Sequence, residues 1–173
     1  FFAQYPQFPS YDPLAPTTKE FYRLCDFFGW ERDDDAKQEA RELFQSALTQ
    51  EFNDIYGTDA DSLSSWQTLC RILEINPAPA KLKQCRAAVK RAHVNIVDLV
   101  DTQRTCEQVK VFQSELELSI YTKNTGKYFP RENAYAGGLL RYLLRRIINP
   151  ELAGRGGGSR RGRGRGHGNG RGG

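Results

Sequence analysis

The last twenty residues of this chain, Gly154 to Gly173, hold six Arg and eleven Gly and not one acid. A segment so poor in apolar side chains does not offset the entropy of ordering its backbone, so it is expected to be disordered and to add nothing to a core. What folds must lie before it. The charge divides the same way: the tail carries +6, and the rest of the chain holds 19 basic against 21 acidic residues, a balance of −2. A body of that sign is not a uniformly basic nucleic-acid-binding domain. The 173 residues are 39% apolar, enough for one domain with its own core. No apolar run approaches the roughly 18 residues of a membrane span, and the composition fits neither collagen nor a disulfide scaffold.

Apolar residues recur with a 3.6-residue period over most of the body, which predicts six helices. The first is capped by Thr17 or Thr18, buries Phe21, Leu24, Cys25 and Phe28, and stops at Gly29. The second opens on Asp33 to Asp35, acids that complement a helix N-terminus. Its stripe is Leu43, Phe44, Ala47, Leu48, Phe52 and Ile55, and Gly57 ends it. Asp61 or Ser62 caps the third, with Leu63, Trp66, Leu69, Cys70 and Leu73 inward, and Pro77 and Pro79 terminate it. The fourth runs from about Ala80 to His93. Ser114 and Glu117 have capping-box spacing and open the fifth, which closes near Gly126.

The sixth helix is expected from Pro130 to about Ile148, with Leu139, Leu140, Leu143, Leu144 and Ile147 on its apolar face. Gly137 and Gly138 inside it cost about 1 kcal/mol each relative to Ala and point to close approach of another backbone or a kink. Val94 to Asp101 reads two ways: a short helix capped by Asn95, or a buried strand over Ile96 to Val100. Val109 to Phe112 is a strand candidate.

Residues 1–16 form an arm in which Phe1, Phe2, Tyr5, Phe8 and Tyr11 alternate with Pro6, Pro9, Pro13 and Pro16. Proline predicts an extended, polyproline-like course. Its aromatics either pack along the body or, in the case of Phe1, Phe2, Tyr5 and Phe8, dock on a partner. The arm has neither the basic region nor the apolar run of a signal peptide, and a chain that starts at Phe1 with no Met reads as a fragment or a processed form. Cys25, Cys70, Cys85 and Cys106 include no CxxC pair, and three of them fall on apolar helix faces. Reduced core thiols and an intracellular protein, nuclear or cytoplasmic, are the expectation.

Function is read mainly from the tail. Arg155-Gly156-Gly157 and Arg171-Gly172-Gly173 are RGG units, and Arg161 to Gly166 is three Arg-Gly dipeptides. The guanidinium offers a planar fork for phosphate and a flat face for bases, and glycine lets the backbone approach closely. Arg155, Arg160, Arg161, Arg163, Arg165 and Arg171 are therefore the candidate RNA contacts. The pattern resembles the RGG segments of RNA-associated proteins, a resemblance that implies contact with little sequence preference. In the body, Lys83, Arg86 and Lys90 on the fourth helix and Arg141 and Arg145 on the sixth form a candidate second basic face. The plainer reading of such a stripe is a solvated surface.

Catalytic signatures are missing: there is no GxxxxGK[ST], HExxH, GxSxG or GxGxxG. His93 is the one body histidine; a pair with Cys106 is conceivable, but a helix-end role is the simpler one. Asp59-Ala60-Asp61 matches only the start of a calcium loop, and Asp33 to Asp35 are explained as a helix start. No metal, cofactor, small-molecule substrate or membrane partner is expected.

Glu20–Trp30 (EFYRLCDFFGW), Glu51–Asp59 (EFNDIYGTD), Ser65–Cys70 (SWQTLC), His93–Thr102 (HVNIVDLVDT) and Lys127–Arg145 (KYFPRENAYAGGLLRYLLR) resemble a family of uncharacterised proteins common in filamentous fungi. The likeness spans most of residues 1–149. It implies a eukaryotic, intracellular protein and carries no functional residues over. The expectation is thus a mainly α-helical domain over 17–150, with a minor two-stranded element between 94 and 113, an aromatic arm before it and a disordered Arg-Gly tail over 151–173. Its expected role is a non-catalytic module that associates with RNA or a ribonucleoprotein. The rival is a protein–protein adaptor using the arm or an apolar groove, with the tail serving only solubility.

Overall fold

The apolar run after His93 becomes a buried helix. In the computed structural model, which describes residues 1–9, 11–130, 138–148 and 150, Asn95 decides its conformation. The Asn95 Oδ1 accepts the N–H groups of Val97 at 2.9 Å and Asp98 at 3.3 Å, capping a helix over Ile96–Thr105. Ile96, Val97, Leu99 and Val100 are all buried. Periodicity alone leaves such a run open, because four of the five residues from Ile96 to Val100 are apolar; the cap excludes the strand alternative.

The described residues form seven α-helices: α1 Thr17–Phe28, α2 Asp35–Tyr56, α3 Leu63–Ile72, α4 Leu82–Arg91, α5 Ile96–Thr105, α6 Glu115–Thr125 and α7 Leu140–Leu143. Between them, β1 (His93–Val94) pairs antiparallel with β2 (Val111–Phe112), His93 opposite Phe112 and Val94 opposite Val111. The protein is mainly helical with a small two-stranded sheet, as its periodicity predicts. One buried cluster joins Phe21 of α1, Phe44 and Phe52 of α2, Trp66 of α3, Val89 of α4, Val97 of α5 and Leu140 of α7.

Two helix starts differ from expectation. Neither Thr17 nor Thr18 caps α1; both lie inside it, and Pro16 at the N-cap has no side-chain oxygen to offer. The carboxylate of Asp101, on α5, accepts the Thr17 N–H instead at 3.0 Å. In α6, the Ser114 Oγ accepts the Glu117 N–H at 3.2 Å, but Glu117 reaches back to the N–H of Gln113 rather than to that of Ser114. Ser62 caps α3 as expected. That helix ends at Ile72, short of the prolines, where Glu74 takes a left-handed φ of 56°. The inward line of α2 is Ala40, Phe44, Leu48, Phe52 and Tyr56, one residue every four; Leu43 is 42% exposed.

The long sixth helix is not what the chain builds. Among the described residues only Leu140–Leu143 is helical, and Leu144, at ψ 134°, turns away. Helical hydrogen bonds are replaced by tertiary ones along α6: the Arg146 N–H donates to Glu115, the Ser119 hydroxyl to the Ile147 carbonyl and the Lys123 ammonium to the Ile148 carbonyl. The proposed start at Pro130 and the role of Gly137 concern residues 131–137, which lie outside the described residues. Gly138 meets the expectation of close approach. Its N–H donates to the Thr58 carbonyl at 3.1 Å, and a Cβ there would lie 2.5 Å from that oxygen.

The arm is folded onto the body, not extended at its start: Phe2–Gln4 is a 3-10 turn. Phe1 packs against Phe21 and Phe44, Tyr5 against Phe28 and Trp30, and Phe8 is buried against Phe27. The fully buried Glu20 ties the arm to α1, accepting the Asp12 N–H at 3.0 Å and the Arg23 guanidinium. Cys25, Cys70 and Cys85 are buried and Cys106 is exposed, all four as free thiols.

Two predictions follow from the capping of α5 and α1. Asn95→Ala removes a cap and leaves buried acceptors on Thr122 and Lys127 without their donor. It should cost about 2 kcal/mol in urea denaturation, whereas a loss below about 0.5 kcal/mol would contradict this role. Burial raises the Asp101 carboxyl above its ordinary value, against the Thr17 hydrogen bonds. A raised folded-state value means stability that is complete below the unfolded value and is lost as pH rises through the folded one. Asp101→Asn keeps the acceptor and does not ionise. Its melting midpoint relative to wild type should therefore be higher at pH 7 than at pH 4, and equal offsets at the two pH values would count against it.

Candidate functional site

The six tail arginines, Arg155, Arg160, Arg161, Arg163, Arg165 and Arg171, lie outside the described residues. What the structure describes is the segment that leads toward them. Residues Arg146 to Ile148 are bonded to Glu115, Ser119 and Lys123, positions four apart on one face of α6. Leu144 to Ile148 is thus anchored to the body shortly before the Arg-Gly stretch begins.

The candidate basic face is brought together in part. Helix α4 packs against α7, and Lys83, Lys90 and Arg141 are exposed. Arg141 lies over the Tyr142 ring at 4.9 Å. Two members are engaged inside the protein instead. The Arg86 guanidinium donates to the Ala60 carbonyl and, at 2.6 Å, to Asp61, and it sits 5.8 Å from the ring centres of both Trp66 and Tyr142. Trp66 itself donates to the same Ala60 carbonyl at 2.7 Å. These contacts hold the turn before α3 against α4 and α7.

Arg145 is bound by carbonyls alone. One terminal nitrogen donates to Tyr142 at 2.9 Å and Leu144 at 3.0 Å, the other to Lys90 at 2.7 Å and Ala92 at 2.9 Å. Lys90 and Ala92 present the last carbonyls of α4, whose orphan acceptors attract a cation. Arg145 thus closes α4 from another segment. Burial draws its pKa below the ordinary value, with Glu115 opposing. Sequence spacing places Arg86 and Arg145 on charged stripes but says nothing of these acceptors.

Phe1, Phe2 and Tyr5 are half-buried and Phe8 is buried, so the arm's rings serve the core, the first of the two readings above. A cavity of about 280 Å³ lies under the arm, between Phe1, Phe44, Glu51 and Arg104. His93 is half-buried on β1, and Cys106 sits exposed at the left-handed end of α5 with φ 55°. Asp59 accepts the Asp61 N–H at 2.8 Å within a turn. Among the described residues, no three His, Cys, Asp or Glu side chains converge as they would around a metal ion, and no helix is long and apolar enough to cross a membrane.

A second, larger hollow was not foreseen. It measures about 500 Å³ and is enclosed by Val94 to Ile96, by Leu118 and Thr122 of α6, by Lys127 to Phe129, and by Leu143 to Ile148. Four separate stretches of chain build it, and one of them reads from sequence as helix. Leu144 and Ile147 are what remain over when that helix fails to form. At its edge the Lys127 ammonium bonds Asp98 at 2.6 Å and the Tyr121 hydroxyl at 3.3 Å.

Arg145→Lys keeps the charge but not the planar fork. It should lower stability by about 1–2 kcal/mol in urea denaturation. Unchanged stability would remove Arg145 from its place at the end of α4.

No family model, curated protein or solved structure matches this chain, so its own residues alone speak to its function.

Proposed function

We propose that this chain is a non-catalytic module that associates with RNA, or with a ribonucleoprotein, through its Arg-Gly tail, the helical body docking a partner. One observation carries the reading: six Arg and no acid within the last twenty residues, set beside a body of net charge −2. The body's arrangement supports this division. Arg86 and Arg145 are held by internal acceptors, which leaves Lys83, Lys90 and Arg141 as a thinner second face. Six cations on a single strand give a salt slope of about −4, at roughly 0.7 per phosphate. Such contact is weak at physiological salt and gains from multivalency.

A protein–protein adaptor is a second reading with its own observation. Leu116 and Ile120, four apart on α6, are each 51% exposed, and Ile148, tied to the same helix through Lys123, is exposed as well.

The test is binding of an unstructured single-stranded RNA across a salt series. It compares the full chain with two variants in which the six tail arginines are all Lys or all Gln. Wild type should show the slope of about −4. The Lys variant should keep that slope with lower affinity, having lost stacking, and the Gln variant should not bind. Full affinity in the Gln variant would move the site to the body. No binding by wild type at about 150 mM salt, near physiological ionic strength, would leave the adaptor reading in its place.

A further inference from the structure

We propose that the cavity between β1, α6 and the Leu143–Ile148 segment binds a small amphiphile with one negative charge: an acyl or aryl carboxylate, its hydrocarbon inside and its carboxylate at Arg145. The site is independent of the tail and of its RNA reading.

The volume of about 500 Å³ falls within the range of small-molecule sites, about 300–1,000 Å³. Its walls are mainly hydrocarbon, from Val94, Ile96, Leu118, Phe129, Leu143 and Ile147. Two polar side chains among them, Asn95 and Thr122, are bonded to each other within the protein. Asn95 uses its oxygen on two N–H groups and its amide nitrogen on Thr122 and the Lys127 carbonyl. Walls that are mainly hydrocarbon suit an apolar guest.

The charge at the rim selects the head group. Lys127, Arg145 and Arg146 line the cavity. Lys127 is neutralised by Asp98. The Glu115 carboxylate acts on Arg145 through its charge and accepts the Arg146 N–H. Among the described residues, three cations thus stand against two carboxylates, leaving one positive charge. Among the described residues Arg145 has no carboxylate partner; its four hydrogen bonds end on neutral carbonyls, and burial disfavours its charged form. An anion there relieves that cost. Arg145 has five N–H donors, and four are engaged.

The experiment is calorimetric titration of the full chain with hexanoate, octanoate and decanoate, and with decyltrimethylammonium as the control of opposite charge. Saturable one-to-one binding should tighten about fourfold per added methylene, and the cation should bind at least tenfold more weakly than decanoate. Ile147→Trp, which fills the hollow, should abolish binding while the melting transition stays cooperative. Where that variant does not fold, amide NMR of wild type with decanoate decides, by shifts confined to Asn95, Lys127 and Leu144–Ile148. Four outcomes each overturn the proposal: no saturable binding of any carboxylate, equal binding of the cation, undiminished binding in a folded Ile147→Trp, or shifts elsewhere.

Discussion

The amide of Asn95 makes four hydrogen bonds, and the elements around the centre of the protein take their places from them. Its oxygen starts α5 by accepting two backbone N–H groups. Its nitrogen reaches Thr122 on α6 at 2.9 Å and the Lys127 carbonyl just beyond that helix at 3.0 Å. One planar group thus sets where α5 begins, how α6 lies beside it and where the chain leaves α6. An apolar residue here would satisfy none of the four partners. Burial of the side chain makes each bond costly to lose.

From α5 the same logic runs outward. Asp101 supplies the cap that Pro16 lacks, so the start of α1 depends on a helix 84 positions away in sequence. Tyr56, the last residue of α2, donates its hydroxyl to the Leu99 carbonyl at 2.9 Å. Arg104 bonds Glu51 of α2 and Tyr11 of the arm. The central helix is therefore more than an apolar post. Its polar atoms fix the ends of the elements around it, and the aromatic rings of the arm and α1 then pack into a geometry already set.

What could be read from residues and what could not divides by the range of the interaction. Ser62 and Ser114 mark helix starts because their partners lie three residues on. Gly138 announces a close approach because any side chain would collide, whatever the neighbour is. The end of α7 is the opposite case. Leu139, Leu140, Leu143, Leu144 and Ile147 have helical spacing, yet the backbone of 146–148 finds better partners on α6, and only the folded neighbour reveals that. Leu43 misled for a related reason. Both it and Phe44 fit an apolar stripe on α2, and contact with Phe21, stacked on Phe44 at 4.6 Å, decides which turns inward. The cavity was illegible because its walls come from four stretches of chain.

The arginines show how one residue type takes different work from its surroundings. Where carbonyls, carboxylates and rings are within reach, as at Arg86, Arg104 and Arg145, the fork is consumed by the fold. Its removal would then read out as lost stability as much as lost binding. In the last twenty residues there is no Asp or Glu and no Phe, Tyr or Trp to engage it. Under the proposed reading, that absence is what leaves six guanidinium groups for an outside phosphate or base. A balance of charge over the whole chain, +4, conceals this. The informative quantity is where the cations lie, and the sequence sets six of them at one end with no acid among them.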